Sequence, residues 1–68
     1  MSVKDIVQLA YENDLYYATE FQREGRRVLV FTVYSKDGES NFKKQMKNYL
    51  VERVIDSHNE NTLIGVMV

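Results

Sequence analysis

The only imidazole in the chain, that of His58, stands among carboxylate-bearing residues in a polar stretch. Asp56 precedes it by two positions, and Glu60 follows it by two. A histidine beside a carboxylate can bind a metal ion or transfer a proton near neutral pH. One histidine without any cysteine provides too few of the usual ligands for a metal ion, so we interpret His58 as an exposed loop residue. We therefore expect neither a metal ion nor a cofactor.

Nucleophilic and phosphate-binding chemistry has equally little support. No serine stands in a Gly-x-Ser-x-Gly turn, and Gly25, Gly38 and Gly65 are too far apart to form a phosphate-binding loop. Asp37 and Glu39 are explained by a turn and a helix start. A chain of 68 residues also offers little depth for a pocket that excludes water. We expect no enzymatic activity.

Five basic residues are the strongest candidates for contact with nucleic acid: Arg26, Arg27, Lys43, Lys44 and Lys47. The lysines lie on neighbouring turns of a predicted helix, and the arginines lie at a predicted strand turn. Together they could contact phosphates, while Tyr16 and neighbouring tyrosines beside the arginines could stack on bases. The net charge of −1 argues against a dedicated nucleic-acid binder. Nucleic-acid binding is therefore the second hypothesis, and a solvated helix face is the simpler interpretation.

A second candidate surface combines aromatic, arginine and apolar residues: Tyr16, Tyr34, Arg53, Ile64, Val66 and Val68. Half-exposed tyrosine supplies contact area at low entropic cost. Arg53 stands among apolar neighbours and needs a carboxylate, either inside the domain or across an interface. The apolar run 63–68 must pair with another strand, within the domain or across a dimer. The leading hypothesis is a non-catalytic regulatory module that binds protein, as a homodimer or with another protein.

The first element that positions these residues is a helix. Val3, Ile6 and Ala10 recur at helical spacing, and Ser2 with Asp5 resembles a capping box. Asn13 and Asp14 then mark the predicted end of this helix.

The clearest signal in the chain predicts a β-hairpin. Residues 15–22 are rich in aromatic and β-preferring types, with Tyr17, Thr19 and Phe21 on one strand face. A turn at 23–26 contains Gly25, and residues 27–34 are apolar on both faces. Such a strand is typically central and covered on both sides.

The second half of the chain has two alternatives. Residues 36–38 break the sheet, and Ser40 is the predicted N-cap of a helix that begins near Asn41. Either this helix runs to Asp56 before one final strand, or it ends near Asn48. In the second case, residues 49–56 and 62–68 form another hairpin closed by the loop 57–61. An offset of 34, which equates Leu29 with Leu63, then hints at an αββ repeat.

Composition supports one small domain covering residues 1–68. The hydrophobic fraction of 44% exceeds that of a disordered tail, and the apolar runs are too short to cross a membrane. The absence of cysteine and of a signal-like N-terminus predicts a cytoplasmic protein. For so short a chain, apolar burial and the entropy of ordering nearly cancel, which favours self-association. We predict an α+β domain with three or four antiparallel strands and two helices on one face, ordered αββαββ or αββαβ.

Overall fold

The computed structural model describes residues 1–54 and 62–68, with elements in the order αββαββ. They are α1 (Val3–Glu12), β1 (Leu15–Arg23), β2 (Arg26–Val33), α2 (Lys36–Gln45), β3 (Leu50–Val54) and β4 (Leu63–Met67). The strands form one antiparallel sheet in the order β1-β2-β4-β3. The predicted α+β class is therefore confirmed. Within the described residues, no helix has the length and apolar character needed to cross a bilayer.

Helix α1 begins where the capping pattern predicts. The Ser2 hydroxyl accepts a hydrogen bond from the Asp5 backbone N–H at 3.2 Å, and the Asp5 carboxylate accepts one from the Ser2 N–H at 3.4 Å. This reciprocal pair satisfies two N–H groups at the helix start. Ile6 and Ala10 are buried against the sheet, and Asn13 caps the other end.

The β1–β2 hairpin also agrees with its prediction, since each strand boundary lies within one residue of the expected position. Arg23 pairs with Arg26 directly before the turn. Glu24 and Gly25 have φ values of 53° and 79°, which are the left-handed conformations that a tight two-residue hairpin turn requires.

Helix α2 begins earlier than predicted. Its N-cap is Ser35 rather than Ser40, and residues 36–38 form its first turn instead of a break. The Ser35 hydroxyl accepts a hydrogen bond from the Gly38 N–H at 3.0 Å, which satisfies a donor of this turn. Ser40 therefore lies inside the helix.

A close contact between the two helices explains the glycine in α2. A Cβ atom at Gly38 would overlap the carbonyl oxygen of Asn13, so only glycine permits this approach. The Asn13 side chain also joins the helices. Its Nδ2 donates to Oε1 of Gln45 at 3.1 Å, and its Oδ1 accepts from Nδ2 of Asn41 at 2.6 Å.

After α2, the chain follows the two-hairpin alternative. The helix ends at Gln45, a few residues before the predicted end, and Leu50–Val54 forms a strand as that alternative requires. The predicted loop 57–61, together with Asp56 and His58, lies outside the described residues.

The repeat exists as an architecture but not at the predicted offset. The two central strands pair with each other, and each has its hairpin partner on the outer side. Leu29 faces the helices, whereas Leu63 faces away because it adjoins the core residue Ile64. An offset of 35 instead equates Leu29 with Ile64, and Phe31 with Val66, all of which lie in the core. Since side chains alternate, an offset wrong by one residue exchanges the faces.

Both helices lie on the same face of the sheet. The core between them and the sheet consists of Ile6, Ala10, Leu15, Leu29, Phe31, Phe42, Met46, Ile64 and Val66. Ile64 and Val66, predicted as interface residues, are fully buried here because β4 is a central strand. They are therefore not available to a partner of the folded domain, and Val68 is only partly exposed.

Candidate functional site

The other face of the sheet, called here the open face, carries the side chains that point away from both helices. By strand alternation they are Tyr16, Thr19, Phe21 and Arg23 on β1; Arg26, Val28, Val30 and Thr32 on β2; Leu63, Gly65 and Met67 on β4; and Leu50, Glu52 and Val54 on β3. None of the described elements covers this face.

A β-bulge decides which residues of β1 reach the open face. The register shifts between Tyr17 and Thr19, so Tyr17 faces the helix side while Thr19 and Phe21 face away. The Tyr17 ring packs edge-on against Phe31 in the core, with centroids 6.1 Å apart. The prediction that Tyr17, Thr19 and Phe21 share one face is therefore wrong, because strict alternation does not hold across a bulge.

An ion pair spans the open face. Nη1 of Arg23 on β1 lies 3.2 Å from Oε2 of Glu52 on β3, although β2 and β4 run between these strands. In a flat sheet the Cα atoms of these two residues would lie about 20 Å apart, since the edge strands are about 14 Å apart and Arg23 is four positions along the strands from the level of Glu52. Extended arginine and glutamate side chains together span less than this, so the twist and curl of the sheet must bring the two corners together over the open face, which is concave there.

Gly65 allows the curl by leaving the floor of the concave face without a side chain. A Cβ atom there would lie 2.9 Å from Cγ1 of Val28 and 3.1 Å from Cγ2 of Val54. The two valines close over the glycine from the flanking strands. As a result, Val28 is only 5% exposed and Val30 only 2%, although no helix covers them.

The exposed apolar area of the open face lies at its two rims. Phe21, Val28, Met67 and Leu50 form one row across all four strands, with Phe21 and Leu50 at the outer ends. Phe21 is 36% exposed and Leu50 is 52% exposed. The Arg23 guanidinium lies 5.6 Å from the centroid of the Phe21 ring, so charge and apolar surface adjoin at the β1 rim.

The five basic candidates do not form one patch. Arg26 projects from the open face, whereas Arg27 projects toward the helix side, because they are consecutive in β2. Nε and Nη2 of Arg27 donate to Glu20 at 2.7 and 3.0 Å. This hydrogen bonding to Arg27 lowers the pKa of Glu20 below its ordinary value of 4.5 and raises the pKa of Arg27. Lys44 and Lys47 are exposed on the helix side.

Of the two alternatives for Arg53, its contacts show a carboxylate partner inside the domain. Nη2 of Arg53 donates to Oε1 of Glu39 at 3.3 Å, and Nζ of Lys43 lies 3.5 Å from the other oxygen. Glu39 is buried, and its Oε2 accepts no hydrogen bond within the described residues. Glu39 and Arg53 border an open recess of about 370 Å³ that is also lined by Tyr34 and Lys36.

Three tyrosines form an exposed group at the opposite end of the hairpin from its turn. Tyr16 lies edge-on to Tyr11 and Tyr34, with ring centroids 5.3 and 5.2 Å apart. Tyr16 pairs with Thr32, six residues along β2 from Arg26, which corresponds to about 20 Å. The tyrosines therefore do not lie beside the arginines of the turn, as the base-stacking hypothesis requires.

Several residues of the open face could not be identified from the sequence. Leu50, Glu52 and Val54 alternate along β3, but the sequence of this segment is also compatible with a helix, so the pattern alone does not place them on a strand. The Arg23–Glu52 contact could not be derived, because it depends on the strand order and on the curl of the sheet.

Comparisons with known proteins do not assign this chain to a class. No protein family, no curated protein and no solved structure matches it. Among the described residues, no group of three or more histidines and carboxylates could hold a metal ion.

Proposed function

We propose that this chain is a non-catalytic interaction module that binds protein through the open face and self-associates through it. The observation that supports the proposal is the row of four apolar residues crossing that face. Its outer members, Phe21 and Leu50, expose apolar surface at both rims. Large apolar side chains grouped beside polar residues are typical of protein-binding surfaces. The proposal includes a cytoplasmic, regulatory role, since a chain without cysteine suits a reducing compartment.

Nucleic-acid binding is the second candidate and has weaker support. Arg26 lies on the opposite face of the sheet from the other four basic residues, and two of those four, Arg27 and Lys43, already lie beside carboxylates. A phosphate backbone binds best to basic side chains that share a face and lack carboxylate partners. This arrangement favours the interpretation of the lysines as a solvated helix face.

The first experiment is sedimentation velocity of the whole chain over about a hundredfold range of concentration. We expect a dimer at high concentration and dissociation on dilution. Leu50→Glu should shift the dissociation constant upward by about tenfold or more, because it places a charge in the contact. Gln8→Glu is the matched control, since it adds the same charge at an exposed position of α1.

A monomer at every concentration would contradict self-association. Equal weakening by Leu50→Glu and Gln8→Glu would show that the open face is not the contact. The same samples, titrated with short single- and double-stranded DNA and RNA at about 50 and about 200 mM salt, test the alternative. Binding that weakens steeply with salt would favour nucleic acid over protein as the partner.

A further inference from the structure

We propose that the occupant of the open face is a second copy of this chain, related by a two-fold axis that runs parallel to the strands. This inference rests on the proposed function and adds the geometry of the contact. In a two-fold dimer, each contact between two different residues occurs twice. The open face should therefore carry pairs of complementary residues, placed symmetrically about the axis.

The apolar rims meet this requirement. Phe21 and Leu50 lie at opposite ends of the same row, one on each edge strand. An axis parallel to the strands and midway between the rims places β1 of one copy over β3 of the other. Phe21 then contacts the partner's Leu50, and Leu50 contacts the partner's Phe21.

The pair Arg23 and Glu52 also meets the requirement for symmetrically placed complementary residues. Arg23 and Glu52 meet above the recess whose floor is Gly65, which lies in the middle of the face. The same axis passes beside this pair and brings its copy next to it. Each Arg23 then adjoins the partner's Glu52, so four charges of alternating sign come together without net charge. Such an arrangement fixes the relative orientation of two surfaces.

A two-fold axis perpendicular to the strands is less complementary. It would exchange the two ends of each strand and keep β1 over β1. Placed at the level of the apolar row, it would join each rim to its own copy, but it would also bring Arg23 next to the partner's Arg23 and Glu52 next to the partner's Glu52. Like charges would therefore meet at the centre of the contact.

The available area also favours a contact that involves both rims. The broad side of the molecule measures 30 by 29 Å. A standard protein interface buries about 800 Å² on each partner. A stable dimer therefore needs almost the whole open face, including both rims, and not one edge alone.

The test mixes two oppositely charged variants, Arg23→Glu and Glu52→Arg. Each variant alone brings four like charges together at the axis, and we expect its dimer to be weaker than that of the wild type. The mixed dimer restores alternating charges between the chains, although the pair inside each chain remains like-charged. Native mass spectrometry resolves the three dimers by mass. We expect about tenfold more mixed dimer than random exchange gives.

The control is a mixture of Lys44→Glu with Glu52→Arg. Lys44→Glu gives its chain the same net charge as Arg23→Glu but places the change on the helix side. We expect no excess of mixed dimer from this pair. An equal excess in both mixtures would show attraction between net charges and would overturn the geometry.

A second pair of variants, Phe21→Lys and Leu50→Glu, tests the apolar rims. In the dimer of either variant with itself, the two introduced like charges lie on separate rims. Only the mixed dimer brings opposite charges together across the interface. Suppose that both mixtures give only the amount of mixed dimer that random exchange of chains predicts, while Leu50→Glu still disrupts the wild-type dimer. This result would overturn the proposed axis and leave the proposed function intact. A monomeric wild type would instead overturn both.

Discussion

Gly65 occupies a strand position where any side chain meets its neighbours. Glycine in a strand ordinarily costs about 0.5–1 kcal/mol relative to alanine, so a change to alanine is usually favourable. Here a Cβ atom would approach Val28 to 2.9 Å and Val54 to 3.1 Å. We expect Gly65→Ala to destabilise the fold by about 1–3 kcal/mol, as overpacking of tight sites does. Urea denaturation monitored by circular dichroism measures the difference.

A double variant separates steric crowding from other effects of this substitution. Val28→Ala removes the methyl groups nearest to the added Cβ atom. We expect the double variant to be more stable than the sum of the single changes predicts, because the two sites are in contact. Additive effects would show that the crowding over Gly65 is not the cause.

At the scale of the element, the start of α2 depends on which serine caps it. Ser35 accepts the hydrogen bond from Gly38, whereas Ser40 lies in the second turn. We expect Ser35→Ala to lower the free energy of unfolding by about 1 kcal/mol, the typical effect of losing an N-cap. Ser40→Ala should leave it unchanged or raise it slightly, since alanine favours the helix interior. Equal losses for both variants would contradict the observed helix start.

The elements differ in how far the sequence determines them. The first hairpin was predictable because residues 27–34 are strongly apolar and the turn contains Gly25. The cap of α2 was not, because Ser35 and Ser40 both have the right chemistry and Gly38 disfavours a helix locally. The contact of Gly38 with Asn13, which is remote in sequence, requires glycine at this position and accounts for its presence in the first turn of the helix. The bulge before Thr19 is likewise a tertiary feature, and it moves Tyr17 to the opposite face from Phe21.

At the scale of the whole molecule, one face of the sheet is covered by the two helices. The open face is partly buried by its own side chains. The curl across Gly65 buries Val28 and Val30 without a second layer. It leaves Phe21 and Leu50 exposed at the rims, where a partner can reach them. The candidate surface thus follows from strand order and curvature, which explains why residue types alone pointed instead to the basic residues and to the C-terminal strand.

Self-association should make the stability of the molecule depend on its concentration. If a second copy binds only the folded chain, mass action stabilises that chain, and the melting temperature rises with concentration. We expect scanning calorimetry to show a continuous rise for the wild type, and a smaller rise or none for Leu50→Glu. At the lowest concentration both proteins should melt at similar temperatures, because Leu50 is half exposed in the single chain. A melting temperature that does not change with concentration would show that these 68 residues fold stably alone, without help from the open face.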